Sequence, residues 1–384
     1  MEVRGDEYLA EIRFNNSNIA CGEAAIVAGL KFFAGYPITP TSRLFEYLTE
    51  ELPKHGGIAI QCEDEIASIN AIIGASWAGA KSMTTTSGPG FSLMLESIGF
   101  AIMTETPIVI VYVMRTGPST GYATGTGQGD VMQARWGSHG PYELVVYAPS
   151  SAQESFDLTI KAFNVSELLR IPVIVLTDAI LAHTRERYIW RDRSELKIID
   201  RKKPKVPPEK YKPFEPDPED LVPPMAIYGE GYATFAESLV HDERGYYEPT
   251  SEVYRKLIWR LHEKVWLKKK YIVEADTYYV DDAEILIVSY GSLARVALAY
   301  IREMRRKGIK IGLFKPKSLW PLDDEKLRYA TRKAKKVIVV EMNNGQLYRE
   351  IDRLLKNKEV IFRPIFKVDL PTPDEFEEVV QECL

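Results

Sequence analysis

The chain has 384 residues, of which 45% are hydrophobic and 27% charged, so it can bury a core of about two or three domains. Its formal net charge of -5 argues against a nucleic-acid-binding surface. The most apolar stretch, residues 107–114, is far shorter than the roughly 20 residues of a membrane-spanning helix. Since the charged amino terminus also lacks a signal-peptide core, we expect a cytoplasmic protein with no membrane or nucleic-acid partner.

The three cysteines, Cys21, Cys62 and Cys383, show no CxxC spacing. Neither an iron–sulfur cluster nor a structural zinc site can be assembled from them, and we expect no metal site on this chain. If the function involves electron transfer, the electrons must leave through a partner protein.

The first half of the chain alternates short apolar runs with segments of helical length. The predicted strands cover residues 31–37, 58–62, 82–86, 107–114, 143–147 and 172–177. This order predicts an α/β fold in which a parallel sheet is covered by helices on both faces. Residues 107–114 do not alternate apolar with polar side chains, which is typical of a central strand.

The alternation stops between about residues 190 and 282, where prolines recur every few residues in 203–208 and 213–224. Such a composition resists both helix and sheet, so we interpret residues 196–280 as a proline-rich linker with loops. The alternation resumes with predicted strands at 284–289, 310–315, 336–341 and 360–368 and helices at 293–307 and 346–355. We therefore predict a first domain over residues 1–195 and a smaller α/β domain over 281–384.

Four successive strands of the first domain are followed by chemically distinctive turns. In open α/β sheets ligands bind beyond the carboxyl ends of the strands, so these turns are the candidate site. They are Gly35-Tyr-Pro-Ile-Thr-Pro-Thr-Ser42, Glu63-Asp-Glu65, Ser87-Gly-Pro-Gly90 and Arg115-Thr-Gly-Pro-Ser-Thr-Gly121. We expect one edge of the sheet to collect a hydroxyl-rich turn, a carboxylate, a glycine turn and an arginine.

Glu65 opens a predicted helix rich in small residues, which is followed by a short strand and a Ser-Gly-Pro-Gly turn. By itself Glu65 could simply interact favourably with the helix dipole. The whole combination resembles the pyrimidine-binding domain of thiamine diphosphate enzymes. The resemblance implies that Glu65 is catalytic, because its hydrogen bond to N1′ of the cofactor activates the 4′-imino group. Glu63 and Asp64 compete for this role, and we interpret them as exposed or partner-facing.

The half of a thiamine site that holds the diphosphate and its magnesium needs a Gly-Asp-Gly motif, and this chain has none. Gly127-Gln-Gly-Asp130 is superficially similar but lies in a loop of the other kind of domain. We therefore expect another chain to complete the site.

The first turn, Gly35-Tyr-Pro-Ile-Thr-Pro-Thr-Ser42, resembles the signature of the alpha subunit of 2-oxoacid:ferredoxin oxidoreductases. The resemblance implies that Thr39 and Arg115 bind the 2-oxoacid substrate, and guanidinium suits a carboxylate. It also implies a set of cofactor-binding residues: Pro37, Ile38, Glu65, Ser87 and Gly88. The alternative for the turn is that Thr39 or Thr41 caps a helix over residues 43–51.

The resemblance implies the reaction and the partners. A 2-oxoacid is oxidatively decarboxylated, its acyl group passes to coenzyme A, and the electrons pass through iron–sulfur clusters to ferredoxin. A beta subunit would bring the diphosphate site, Mg²⁺ and a 4Fe–4S cluster, and gamma and delta subunits would complete the complex.

Two further segments bear on substrate and architecture. Gly117-Pro-Ser-Thr-Gly121 resembles the 2-oxoglutarate branch of the family more than the pyruvate branch, although a second substrate carboxylate would need another cation. Glu341-Met-Asn-Asn-Gly-Gln-Leu347 resembles the transketolase-C-like domain of the family, where it could be a capped strand-to-helix turn or a ligand contact.

Three alternatives stay open. The complex could prefer pyruvate or branched-chain 2-oxoacids. The chain could be half of a thiamine enzyme without redox chemistry, although Thr39 in Tyr-Pro-Ile-Thr-Pro argues against this. It could also be a non-catalytic scaffold, although the presence of Glu65, Thr39 and Arg115 together weighs against that interpretation.

Overall fold

The computed structural model describes residues 11–383. The strands are β1 (Glu11–Asn15), β2 (Phe32–Gly35), β3 (Ile58–Gln61), β4 (Ser82–Thr86), β5 (Ile108–Met114), β6 (Val145–Tyr147), β7 (Pro172–Asp178), β8 (Glu186–Trp190), β9 (Ala275–Tyr278), β10 (Ile285–Val288), β11 (Ile311–Pro316), β12 (Ser318–Trp320), β13 (Lys336–Glu341) and β14 (Glu359–Pro364). The α-helices are α1 (Ser17–Ala28), α2 (Ser42–Glu51), α3 (Glu65–Trp77), α4 (Gly88–Met103), α5 (Val131–Trp136), α6 (Ala152–Leu169), α7 (Ala179–His183), α8 (Ser251–Leu267), α9 (Lys269–Ile272), α10 (Leu293–Arg306), α11 (Asp324–Thr331), α12 (Tyr348–Leu354) and α13 (Pro373–Gln381).

The first sheet has seven strands in the order β12-β6-β7-β5-β4-β2-β3. All neighbouring pairs are parallel except β12 with β6. Strand β5 lies in the centre, and every one of its residues is buried. The predicted parallel sheet and central strand are thereby confirmed, with one short antiparallel edge strand that was not predicted.

Helices cover both faces of this sheet. Ile110 of β5 packs in the same apolar cluster as Ile69 of α3 and Phe91 of α4. Val109 and Val111 point the other way, into a cluster with helices α1, α2 and α6. Because each face of β5 meets a helical layer, both sets of alternating side chains are apolar, and the strand shows no polar alternation.

The second sheet has the order β14-β13-β10-β11-β9, with β9 antiparallel to β11. Helices α10 and α13 pack on it through a cluster that includes Ile287, Ile301 and Phe376. One strand of the second half of the chain belongs to the first sheet: β12 follows β11 in sequence but pairs with β6. The division at residues 195 and 281 stays a prediction, and its outer limits, residues 1 and 384, lie outside the described part.

Residues 196–250 contain only one 3-10 turn, Pro208–Lys210, and otherwise irregular chain. The prediction that the whole segment to residue 280 forms loops is wrong, because α8 and α9 occupy much of its last third. The physical reason is local. The last proline of the segment 196–280 is Pro249, and residues 251–267 contain neither proline nor glycine. Thr250 caps helix α8 by accepting a hydrogen bond from the backbone N–H of Val253.

Between residues 11 and 383, none of the helices combines the length and the apolar character needed to cross a bilayer.

Candidate active site

The four distinctive turns lie side by side. Their strands are adjacent and parallel in the order β5-β4-β2-β3, so the carboxyl ends meet at one edge of the sheet. The register pairs Gly35 with Gln61 and Thr86 with Tyr112, directly before the turns. The sequence-based expectation about this edge is confirmed.

Glu65 is the first residue of α3 and is only 5% exposed. Asp64 caps the helix by accepting from the backbone N–H of Ala67 at 2.7 Å, while Glu63 is exposed. Burial, together with the neighbouring charge of Asp64, raises the pKa of the Glu65 carboxyl. Within the described residues, Glu65 forms no hydrogen bond or ion pair with another side chain, so its carboxylate is available to a ligand.

The Ser-Gly-Pro-Gly turn touches this carboxylate. A Cβ atom added to Gly90 would lie 2.3 Å from Glu65 Oε1 and 2.2 Å from Thr86 Oγ1, so only glycine fits. The hydroxyl of Ser87 is buried without a hydrogen-bond partner. Among the described residues, a carboxylate that bonds only to its own backbone N–H, together with an unpartnered hydroxyl and a glycine turn, fits a flat heterocycle with several hydrogen-bonding groups, such as an aminopyrimidine.

Arg115 and Thr39 are brought into contact. The Nη1 group of Arg115 donates to the backbone carbonyl of Thr39 at 2.8 Å, and Arg115 is only 6% exposed. Its Nε group is buried without a partner. The predicted alternative of a threonine side-chain cap is wrong, because the Thr41 hydroxyl donates back to the carbonyl of Ile38 instead of capping α2.

A pocket of about 710 Å³ lies beside Arg115, between the edge of the first sheet and two loops of the second. Gly88, Arg115 and Asp130 line the first side, and Asn344 and Lys367 line the other. Its volume falls within the usual range for small-molecule sites. The predicted Pro37 is exposed and does not line this pocket, whereas Gly88 does.

Residues 126–132, a loop and the start of α5, are joined to the second sheet by side-chain hydrogen bonds. Nε2 of Gln128 donates to the carbonyl of Tyr290 at 2.9 Å, and Oε1 accepts from the N–H of Met342 at 3.0 Å. Gln346 accepts from the N–H of Met132 at 2.7 Å. We call these contacts the Gln128 clasp.

Glu341 organises the loop on the opposite side of the clasp. Its carboxylate accepts from the backbone N–H groups of Leu347 and Tyr348 and from the Asn343 amide. Asn343 is buried and also donates to the carbonyl of Gln128 at 2.7 Å. Both asparagines line the pocket, but Asn343 is buried and acts as a structural link, while Asn344 is exposed.

Sequence reasoning missed two residues of this site, Asp130 and Gln128. Both lie in the segment set aside as a false Gly-Asp-Gly motif. The available signal was its position, because the segment continues the loop that begins at Arg115 beyond the same strand end.

Comparison with known proteins agrees with this geometry. Residues 23–258 match the family described as pyruvate flavodoxin/ferredoxin oxidoreductase, thiamine diphosphate-binding. Residues 283–369 match core domain II of pyruvate:ferredoxin oxidoreductase.

Two curated relatives and one solved structure show how far the similarity extends. The 2-oxoglutarate synthase subunit KorA of Methanocaldococcus jannaschii is 49% identical over 96% of this chain and 99% of that protein. The ketoisovalerate oxidoreductase subunit VorB of Methanothermobacter thermautotrophicus is 36% identical over 87% of each chain. The 2-oxoglutarate:ferredoxin oxidoreductase of Magnetococcus marinus, solved with 2-oxoglutarate, coenzyme A and succinyl-CoA, matches with a TM-score of 0.90 and 31% identity over 99% of this chain and 66% of that one.

The expected fold and family are confirmed: this chain, an oxidoreductase with a thiamine diphosphate-binding domain, belongs to the pyruvate flavodoxin/ferredoxin oxidoreductase family.

Proposed function

We propose that the chain is the alpha subunit of a 2-oxoglutarate:ferredoxin oxidoreductase that forms an acyl-coenzyme A. The observation that carries this proposal is the contact of Arg115 with Thr39 on the same sheet edge as Glu65, whose buried carboxylate forms no hydrogen bond with another described side chain. The choice of 2-oxoglutarate is supported by the higher identity to the 2-oxoglutarate synthase subunit, 49%, than to the ketoisovalerate subunit, 36%.

Glu65 holds the aminopyrimidine of the cofactor. Its buried carboxylate accepts a hydrogen bond from protonated N1′, and its rigid position at the start of α3 keeps that bond aligned. When bound, thiamine diphosphate supplies the carbanion that attacks the 2-oxo group. Ser87, Gly88, Pro37 and Ile38 complete this chain's contacts with the cofactor.

Arg115 and Thr39 hold the C1 carboxylate of the substrate. The buried Nε group of Arg115 has no partner within the protein, and a carboxylate can accept from it and from the terminal nitrogens together. Because Arg115 is tied to the Thr39 carbonyl, the guanidinium is oriented before substrate arrives.

The remaining parts of the enzyme belong to partner subunits. A beta subunit carries the diphosphate site with Mg²⁺ and a 4Fe–4S cluster, gamma and delta subunits complete the complex, and ferredoxin accepts the electrons. A Gly-Asp-Gly motif is absent from the sequence, which supports the split site. We propose a cytoplasmic location.

The test is a substrate comparison with the purified complex. Ferredoxin reduction is measured with 2-oxoglutarate, pyruvate and 2-oxoisovalerate at equal concentrations, with coenzyme A present. We expect the highest kcat/KM for 2-oxoglutarate, by about tenfold or more, the ratio that about 1.4 kcal/mol of differential binding gives. A higher kcat/KM for another 2-oxoacid would refute the choice of substrate and leave the family assignment intact.

A further inference from the structure

We propose that Asp130 accepts the proton of the coenzyme A thiol when the acyl group is transferred to sulfur. This inference rests on the proposed function, which makes coenzyme A a cosubstrate, and it gives a chemical role to a residue that the family assignment leaves without one.

Asp130 faces the cofactor turn. A Cβ atom added to Gly88 would lie 4.0 Å from Asp130 Oδ2, and no other described atom outside its chain neighbours and its own helix backbone comes as near. Asp130 precedes α5 but its side chain does not cap that helix. Its Oδ2 atom is buried and has no hydrogen-bond partner among residues 11–383, which is unusual for a carboxylate and leaves one oxygen free to interact with a ligand.

The position of Asp130 is fixed from both sides. The Gln128 clasp holds the chain on both sides of Asp130. Gln128, two residues before it, bonds to Tyr290 and Met342, and the N–H of Met132, two residues after it, donates to Gln346. A carboxylate on a tethered loop can be held at a reacting centre with little loss of conformational freedom during the reaction.

Asp130 is the only carboxylate among the described residues that line the pocket. The other charged groups there are the cations Arg115 and Lys367, and the remaining polar groups are amides and hydroxyls. Neither cations nor amides can take up a proton near neutral pH. If the thiol loses its proton to a side chain of this pocket, Asp130 is therefore the candidate acceptor.

The neighbouring groups set the pKa of Asp130. Burial raises its pKa to about 6, while the nearby Tyr112 hydroxyl and the charge of Arg115 oppose this rise. Lys367 lines the opposite wall, and Tyr290 of the second sheet is close enough for its own pKa to be affected by Asp130. At pH 7 the carboxylate is mostly ionised, yet more basic than an exposed aspartate, whose pKa is about 3.9.

The step balances without a further reagent. The thiol S–H bond breaks and its proton goes to Asp130, a C–S bond forms to the acyl carbon, and the bond from that carbon to its carrier breaks. The carrier keeps the electron pair, and Asp130 returns the proton to water. The oxidation, whose two electrons go to the iron–sulfur acceptor, is a separate change, so the transfer of the acyl group to sulfur itself involves no redox change.

The experiment compares two half-reactions in the purified complex. Carbon dioxide release from the 2-oxoacid is measured in single turnovers without coenzyme A, and turnover is measured with it. For Asp130→Asn we expect unchanged carbon dioxide release and a coenzyme A-dependent turnover lower by about 100-fold, the scale of a lost general base. Asp130→Glu should restore part of the turnover, and Asp157→Asn, a carboxyl change on the far helix α6, should have no effect.

Titration provides a readout without turnover. With ¹³C-labelled aspartate, the cofactor-free complex should show one carboxyl titrating near pH 6 that is missing in Asp130→Asn. Equal losses in both half-reactions, or no loss in turnover, would overturn the role of Asp130 while leaving the proposed function intact. A wild-type complex whose turnover does not need coenzyme A would overturn both.

Discussion

At the scale of single residues, three consecutive acids show how burial separates their roles. Glu63 is exposed, Asp64 caps α3, and Glu65 is buried against the glycine turn. Of the three, only Glu65 is buried, and among the described residues its carboxylate forms no hydrogen bond with another side chain. A hydrogen bond accepted by a buried carboxylate is stronger than one accepted by a carboxylate exposed to water, since the local dielectric is lower.

Replacing Glu65 by Gln should slow hydrogen–deuterium exchange at C2 of thiamine diphosphate in the complex by about 100-fold or more, because the activating carboxylate is lost while the shape is kept. Glu63→Gln is the matched control and should leave the exchange rate unchanged. If both variants exchanged at the wild-type rate, Glu65 would have no part in activating the cofactor.

At the scale of elements, helix α8 is anchored by a buried charge cluster. Glu105, in a left-handed conformation with φ 49°, accepts from Arg260 at 2.6 Å and from Lys264 at 2.7 Å. Arg170 donates to the carbonyls of Glu105, Pro213 and Pro223. The irregular chain around Pro213 and Pro223 is thereby held to Arg170, which directly follows α6.

Replacing Glu105 by Gln should destabilise the full chain by about 3–5 kcal/mol at pH 7, because buried cations lose their counter-charge. Urea unfolding measures this difference. Glu252→Gln removes a carboxylate from an exposed pair with Lys256 on the same helix and should leave stability almost unchanged.

The Glu105→Gln substitution should also change how the free energy of unfolding depends on pH. Burial alone would raise the pKa of Glu105, but Arg260 and Lys264 hold it well below its ordinary value. Since the folded pKa is lower than the unfolded value of about 4.3, the stabilisation is present above that pH and is lost as pH falls. The stability difference between wild type and Glu105→Gln should therefore narrow below about pH 4. A difference that stayed constant down to pH 3 would contradict this account.

At the scale of the whole molecule, the chain carries a thiamine diphosphate-binding domain and a pocket shared by its two sheets. Calorimetry on the isolated chain should show thiamine diphosphate binding weaker than about 1 µM, because this chain supplies no diphosphate motif. Addition of the beta subunit should restore tight binding. Micromolar or tighter binding by the chain alone would rule out the split site.

Much of this protein was determined by local sequence. The apolar run of β5, the small-residue helix after Glu65 and the turns around Thr39 and Arg115 are all recognisable in the sequence, since strand burial and turn chemistry depend on nearby residues. The carboxyl ends of parallel strands lie at one edge of the sheet, so the shared edge could also be predicted.

Only the tertiary structure decided the contacts between distant segments. Glu105 and Arg260 are 155 positions apart, Gln128 meets Met342 across 214 positions, and β12 crosses to the first sheet. No local propensity or periodicity encodes such pairings, because they arise when the two sheets pack and their buried polar groups must find partners. For that reason Asp130 appears in sequence as a loop residue, and only the packed protein shows its carboxylate facing the site.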